Sequence, residues 1–397
     1  MIDELKIESL LARGVSEVIG REHLQKRLLD GEILRVKFGI DPTSPNIHLG
    51  RAVSLLKLRD FQNLGHQIVF FIGDFTGVIG DTSDKDSERP MLFEKQVQEN
   101  LKTYIEQAGK LLDMSKVEIR YNSEWLAKLG YGEIGEQADV FSLAEFIARE
   151  NIKKRLDAGK RISLRELLYP LMQGYDSVIV KADVEIGGTD QRFNILAGRT
   201  LQEKYAQDPQ DIILSNLIMG TDGRKMSSSW GNTINLFDSS RDMFGKIMSM
   251  PDELIMSYFE HCTRISLEDV REIEKFMQSG DMNPRDAKIR LAKEIVNMYH
   301  GEQEANVAEQ YFVNTFSKQE IPENIPEYEV QLDETLESFV SRAGLATSKS
   351  DARRKIEQGG VSLDGEKMLL ASRTFVKDDD NKVLKVGKKD FVRIIVK

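Results

Sequence analysis

Residues 34–73 read LRVKFGIDPTSPNIHLGRAVSLLKLRDFQNLGHQIVFFIG, and their order sets the fold class. LRVKFGI (34–40) is a strand-like run that stops at Asp41-Pro42-Thr43, a turn sequence, with a second turn at Pro45-Asn46. RAVSLLKLRDFQNLG (51–65) spaces its apolar residues at helical intervals and meets a stop at Gly65. HQIVFFIG (66–73) is strand-like again. Strand, helix and strand in so short a stretch make a βαβ unit, and hence a parallel sheet. KVEIRY (116–121), DVEIGG (183–188) and DIILSNLIM (211–219) supply further strands. The segment from about 90 to 170 is mostly helical and interrupts the alternation, as an insertion between two halves of the sheet does. From Pro251 to about 318 come four amphipathic helical segments, punctuated by Asp, Asn, Ser or Pro starts and Gly stops. IPENIPEYEV (321–330) reads as an extended linker. A helix-turn-helix-like stretch (335–360) and short strands follow.

Composition narrows the function classes. No apolar stretch in the 397 residues approaches the ~20 that a membrane span needs. The amino terminus is acidic and helical, unlike a secretory signal. A single cysteine, Cys262, excludes an internal disulfide and a cysteine-cluster metal site, and five histidines leave little for another metal site, so no metal ligands are expected. A reducing, cytoplasmic setting fits. The net charge of −10 argues against non-specific nucleic-acid binding by the whole surface. Residues 331–397 nevertheless carry 14 Lys and Arg against 11 Asp and Glu, a balance of +3, which leaves −13 for the remainder. The tail is the basic part of an acidic protein and points to an anionic partner there.

Three constellations carry chemistry. The first is the opening turn, where a strand ends in Gly39-Ile40-Asp41-Pro42-Thr43 and a helix begins near His48-Leu49-Gly50-Arg51. Free backbone N–H groups and the helix dipole at such a start attract phosphate, and Gly50 lets a flat ring come close. The second is TDGRKMSSSWGN (221–232), a small-residue loop with Lys225 as a cation able to close over a polyanion. Taken singly, each is equally compatible with an ordinary βα turn or a solvated loop. The third is YPLMQGYDS (169–177), which puts Tyr169, Gln173 and Asp176 on one helix face. A hydroxyl, an amide and a carboxylate together suit a ligand with both an ammonium and a phenol. EIGGTDQRFN (185–194) follows, with Gly187, Gly188, Asp190 and Gln191 at a strand's end, suited to a ribose or an amino-acid backbone in a sheet crevice.

The first two stretches resemble the paired ATP signatures of class I aminoacyl-tRNA synthetases, His-Ile-Gly-His and Lys-Met-Ser-Lys-Ser. Here they stand as His48-Leu49-Gly50-Arg51 and Lys225-Met226-Ser227-Ser228-Ser229, with Arg51 in place of the second histidine and Ser228 in place of the second lysine. The Tyr169, Gln173, Asp176 helix and the Gly187-Gly188-Thr189-Asp190-Gln191 stretch resemble the tyrosyl-tRNA synthetases. So does IGDFTGVIGDTSDKDSERP (72–90), with Thr76, Asp81, Lys85 and Arg89 at matching places. The resemblance covers nearly the whole length. The end resembles the alpha-L RNA-binding module of bacterial members, and Lys37 stands where other branches have a tyrosine touching the substrate phenol.

The resemblance implies an α/β fold: a Rossmann-like parallel-sheet catalytic domain over 1–234 with a helical insertion at about 90–165. It also implies an all-helical tRNA-binding domain over 235–320, a linker over 321–332, and a small α+β RNA-binding module over 333–397. It implies a two-step acyl transfer with ATP and its Mg2+ as substrate, L-tyrosine and tRNA(Tyr) as partners, no permanently bound cofactor, a homodimer and no membrane. Asp176 is then expected to accept the phenolic proton, with Lys37 near the phenol. Tyr169, Gln173 and Asp81 hold the ammonium, and Gln191 lies by the carboxylate. Gly39, Asp41, Gly50, Arg51, Gly188 and Asp190 line the nucleotide, together with Met226, Ser227, Ser228 and Ser229. Thr43 and His48 donate to its phosphates, and Lys85, Arg89 and Lys225 neutralise departing pyrophosphate. Loop cations that engage fully only in the transition state raise rate without tightening ground-state binding. Phenylalanine would leave a buried acceptor unpaired, and this family is itself the usual illustration of that selectivity. Arg342, Lys349, Arg353, Arg354 and Lys355 are the tRNA-binding candidates, reading backbone and shape. The rival readings are a tryptophanyl enzyme, a non-catalytic RNA-binding paralogue and an RNA-modifying enzyme.

Overall fold

The computed structural model describes residues 3–81, 91, 93–317, 325–387 and 390–397. Two compact units divide the chain, Met1–Glu302 and Gln303–Lys397. Among the described residues, the sheet of the first unit has six strands: β1 (Val15–Ile19), β2 (Arg35–Ile40), β3 (Gln67–Ile72), β4 (Val117–Tyr121), β5 (Val184–Gly188) and β6 (Asp211–Ser215). They lie in the order β1-β6-β5-β2-β3-β4, with every neighbour parallel except β1 against β6. The opening stretch forms the expected βαβ unit. Its helix, Leu49–Asn63, buries Leu49, Ala52, Val53, Leu55, Leu56, Leu58 and Phe61. β3 and β6 are apolar along nearly their whole length because both faces of the sheet are covered.

This order fixes where a ligand can bind. From β2 the chain moves outward through β3 to β4, then returns to the other side of β2 as β5 and β6. The direction reverses between β2 and β5, so a crevice opens beyond their carboxyl ends. In the parallel register Lys37 lies beside Glu185.

Two differences from the sequence expectations are local. β1 is an additional short antiparallel edge strand, bounded by Gly14 and Gly20, both at positive φ. A Cβ at Gly20 would fall 2.0 Å from Asp211 Oδ1, so the turn into the next helix needs glycine there. The strand expected over 211–219 ends at Ser215.

Helices Leu164–Val180 and Arg192–Lys204 pack face to face, because Gly174 lets the backbone of Ala197 approach: a Cβ there would sit 2.9 Å from the Ala197 carbonyl carbon. The first of them begins with a Ser163/Glu166 capping box. Glu166 is also gripped by Arg155 at 2.5 and 3.1 Å, and the two side chains are only 0% and 1% exposed. Removing one partner of such a buried pair leaves an uncompensated charge. Arg155→Met is therefore expected to destabilise the protein by about 3–5 kcal/mol in denaturant titration. A change below about 1 kcal/mol would mean that the pair behaves as a surface bridge.

Helices Ser240–Ser249, Ile255–Cys262, Leu267–Ser279 and Pro284–His300 complete the first unit. Ser266 and Asn283 cap two of them with side-chain oxygens, and Gly280 and Gly301 end them as the sequence pattern anticipates. In the second unit β7 (Glu327–Val330), β8 (Val361–Leu363), β9 (Glu366–Lys367), β10 (Val383–Val386) and β11 (Asp390–Val396) pair in the order β7-β11-β10-β8-β9. β7 lies inside the stretch read as a linker. Helices Leu336–Arg342 and Lys349–Glu357 close the core of this unit over Phe339, Ile356, Phe375, Leu384 and Ile394.

Candidate active site

The carboxyl ends of β2 and β5 open into a cleft of about 920 Å³. It gathers residues from all three constellations and from the stretch after β3: Gly39, Asp41, Thr43, His48, Gly50, Arg51, Asp81, Tyr169, Gln173, Asp176, Gly188, Asp190, Gln191, Lys225 and Met226 through Ser229. Lys85 and Arg89 lie outside the described residues.

One end of the cleft is a buried polar network. Asp176 is 1% exposed; its Oδ1 accepts from Trp125 Nε1 at 2.7 Å and its Oδ2 from Asn122 Nδ2 at 3.4 Å. Burial pushes its carboxyl up to about 8, more strongly than Lys37 and the two N–H donors pull it down. Asn122 Nδ2 also donates to Thr76 Oγ1 (2.9 Å), which donates to Asp41 Oδ1 (2.7 Å). The Tyr169 hydroxyl donates to Asp41 Oδ2 at 2.8 Å. Burial first, and Asp41 second, hold the Tyr169 phenol well above its ordinary range, so it stays protonated and keeps its lone pairs for a cation. Gln191 Nε2 donates to Asp81 Oδ2 at 2.7 Å.

Trp125, Asn122 and Thr76 fasten this network, and the site residues inferred from sequence do not include them. Trp125 and Asn122 follow β4, in the mostly helical stretch. Of the three, Thr76 alone carried a signal, standing at a matching place in the resemblance. Lys37 does not line the cleft. Its ammonium points to Glu185, Ser177 and the Gln173 carbonyl.

The other end joins the two ATP signatures. The Ile47–Leu49 backbone pairs with Ile234–Leu236: Leu49 N donates to Ile234 O (2.8 Å) and Leu236 N to Ile47 O (2.9 Å). Gly50 N meets Met226 Sδ at 3.3 Å, and a Cβ at Gly50 would press on the His48 ring at 3.0 Å. The Lys225 loop is shaped by Asn232, which accepts from Ser227 N and donates to Asp222 and to the Lys225 carbonyl. Lys225 Nζ contacts Asp190 Oδ2 at 3.1 Å. Burial, with Arg51 and Lys225 nearby, lowers the His48 imidazole to about 3, so it is neutral at physiological pH. Its Nδ1 is buried without a hydrogen-bond partner among the described residues, and a neutral ring of this kind suits a hydrogen bond to phosphate.

Arg51 turns back onto the loop after β2. Its guanidinium donates to Thr43 Oγ1 (3.2 Å), the Asp41 carbonyl (3.3 Å) and Tyr104 OH (3.0 Å). Tyr104 in turn donates to the Ser44 carbonyl at 2.7 Å. A fork of donors spans this loop as an imidazole cannot. Arg51→Ala is expected to raise KM for ATP and lower kcat, together by roughly ten- to hundredfold, because charge-assisted bonds to the loop are lost. Unchanged ATP kinetics would make the arginine a bystander.

In the second unit, most of the candidate cations are paired with neighbouring carboxylates. Arg342 binds Glu334, Arg353 binds Glu337, and Arg354 and Lys355 bind Asp351. Arg342, Arg353 and Arg354 remain more than half exposed, and Lys349 and Arg353 lie one helical turn apart on an exposed face.

Residues 30–317 match the family model of tRNA synthetases class I (W and Y), and residues 334–379 match the S4 domain. The tyrosine–tRNA ligase of Carboxydothermus hydrogenoformans is 45% identical, with 99% of each chain covered. That of Thermotoga maritima is 45% identical over 97% of this chain and 96% of its own length. The chain belongs to the tyrosyl-tRNA synthetase family. Solved structures share the fold. The C-terminally truncated mitochondrial tyrosyl-tRNA synthetase of Aspergillus nidulans has a TM-score of 0.66 at 20% identity, covering 78% of this chain and 94% of that one. The Archaeoglobus fulgidus tyrosyl-tRNA synthetase complexed with L-tyrosine has a TM-score of 0.62 at 22% identity, covering 77% of this chain and all of that one. The α/β architecture with a carboxy-terminal S4 domain is thus the family's own. Among the described residues no helix is long and apolar enough to cross a membrane, and no cluster of His, Cys, Asp or Glu could hold a metal ion.

Proposed function

We propose that the chain is a tyrosine–tRNA ligase that carries out both of its steps in the cleft between β2 and β5. The supporting observation is the union, in one cleft, of the Tyr169–Gln173–Asp176 helix face with the His48 and Lys225 signatures. In the first step a tyrosine carboxylate oxygen attacks the α-phosphorus of ATP, the bond to the bridging oxygen breaks, and pyrophosphate leaves. In the second a ribose hydroxyl of the terminal adenosine of tRNA(Tyr) attacks the tyrosyl carbonyl and AMP leaves. No covalent enzyme intermediate is needed, so catalysis is positioning plus stabilisation of charge developing on phosphate. Mg2+ enters with ATP as part of the substrate.

Asp176 receives the phenol, and Tyr169, Gln173 and Asp81 receive the ammonium. Gln191 lies by the carboxylate. Gly39, Asp41, Gly188 and Asp190 receive the adenylate, while Thr43 and His48 donate to phosphate. Lys225, with Lys85 and Arg89, neutralises pyrophosphate. Arg342, Lys349, Arg353, Arg354 and Lys355 meet RNA from the S4 domain, at positions that also hold intramolecular ion pairs. Residues 1–234 carry the chemistry, 235–320 contact tRNA, 321–332 link while β7 within them joins the module's sheet, and 333–397 form the rest of the RNA-binding module. The enzyme works in the cytoplasm as a homodimer. The relatives described above are tyrosine ligases, which favours tyrosine over the tryptophan alternative.

The test is amino-acid-dependent ATP–pyrophosphate exchange. Exchange with tyrosine, and not with tryptophan or phenylalanine, is expected. No exchange from folded protein would overturn the enzyme reading, and exchange with tryptophan alone would overturn the choice of amino acid.

A further inference from the structure

Lys37 and Glu185 meet across the β2–β5 register, beneath the cleft, and are 0% and 2% exposed. Lys37 Nζ has three acceptors: Ser177 Oγ at 2.7 Å, the Gln173 backbone carbonyl at 3.0 Å and Glu185 Oε1 at 3.0 Å. An ammonium has three N–H donors, so all are committed and none is left for a substrate phenol. Glu185 is equally saturated. Oε1 accepts from Lys37 and from Gln173 Nε2 (3.3 Å), and Oε2 from Ser177 Oγ (3.0 Å) and Gln210 Nε2. Gly198 makes room for this convergence, since a Cβ there would sit 2.7 Å from Gln210 Nε2 and 2.9 Å from Ser177 Oγ.

The consequence falls on Gln173, whose side chain lines the cleft. An amide has a donor end and an acceptor end, and only its surroundings choose between the two orientations. Turned the other way, its carbonyl would face a carboxylate and its N–H2 would face a bound ammonium, both unfavourable. We infer that the buried Lys37–Glu185 pair is a positioning and specificity device, which holds the Gln173 amide with its carbonyl toward the substrate's ammonium group. This rests on the reading of Gln173 as an ammonium ligand. Glu185 makes the contact, and Lys37 supplies the counter-charge without which a buried carboxylate is costly.

The test measures dissociation constants by calorimetry for L-tyrosine, tyramine and 3-(4-hydroxyphenyl)propionate, the last lacking the ammonium. In Glu185→Gln the neutral residue can donate to the Gln173 carbonyl and so turn the amide. Should loss of the counter-charge to Lys37 prevent folding, the double variant Lys37→Met/Glu185→Gln carries the same measurement. Tyrosine and tyramine are expected to weaken roughly ten- to hundredfold, and the deaminated acid less than about threefold, the scale of a lost hydrogen bond to a charged group. KM for ATP is expected to stay unchanged. Equal weakening of all three ligands, or no change in any, overturns the inference. Failure of the unaltered protein to bind tyrosine at all would instead overturn the assignment of the cleft on which it rests.

Discussion

Asp176→Asn is expected to lower kcat/KM for tyrosine in pyrophosphate exchange by about a thousandfold, while phenylalanine, measured at high concentration, changes by less than about tenfold. The carboxyl is buried, and both oxygens already accept N–H donors from Trp125 and Asn122. An asparagine keeps one acceptor and turns an N–H2 toward a donor or toward the phenol. Loss of the carboxyl as a partner for the phenolic hydroxyl and a mispaired buried group act together, each worth about 1–3 kcal/mol. The ratio of tyrosine to phenylalanine is the decisive reading. Equal losses for both would show that Asp176 supports the fold without reading the hydroxyl.

The same substitution has a pH signature. In the folded protein the Asp176 carboxyl is pushed up to about 8 from an ordinary 3.8. Below the ordinary value it is protonated in both states and contributes nothing to the pH dependence. As pH rises from there toward 8, the unfolded chain has released this proton and the folded chain has not, so stability falls; above 8 the loss levels off. Asp176→Asn removes this dependence. The melting temperature of the variant relative to the unaltered protein is expected to climb from pH 5 to pH 8 and then flatten. A difference independent of pH would mean that the carboxyl is ionised throughout.

Lys225→Ala is expected to lower kcat for tyrosine activation by roughly a hundred- to a thousandfold, the effect of removing one preorganised donor from a developing anion. Tyrosine binding measured without ATP should be unchanged. In the free protein Lys225 rests on Asp190 at the rim, about one-third exposed. On the proposed reading its ammonium would exchange a carboxylate for the polyphosphate when ATP enters, so that binding ATP would gain less from it than the transition state does. A rise in KM for ATP with kcat unchanged would sink this division, because it would mark a group that binds ground and transition states alike. Ser228, which stands where the signature has a second lysine, leaves Lys225 as the cation of this loop segment that lines the cleft.

The chemistry of this protein was legible in its sequence because the decisive signals are local. Asp41-Pro42-Thr43, His48-Leu49-Gly50, Lys225-Met226-Ser227 and the Tyr169, Gln173, Asp176 face each lie within one turn, loop or helix. Backbone geometry alone orients their side chains together. The strand over 34–40 and the helix after it follow equally from period and punctuation. β1 was missed because five residues between two helices give too short an alternation to stand out. Other features depend on neighbours far along the chain. Trp125 and Asn122 reach Asp176 only after β4 takes its place at the sheet edge. Arg51 finds Tyr104, 53 residues away. Lys37, read from sequence as a group at the substrate phenol, is spent on Glu185, Ser177 and Gln173 because the sheet order puts β5 beside β2. A lysine's partner is set by which carboxylate the register brings within 3 Å, and no local pattern encodes that. The sequence by itself thus determined which stretches supply the cleft, and the tertiary structure decided which side chains line it and which, like Lys37, Trp125 and Asn122, hold the others in place.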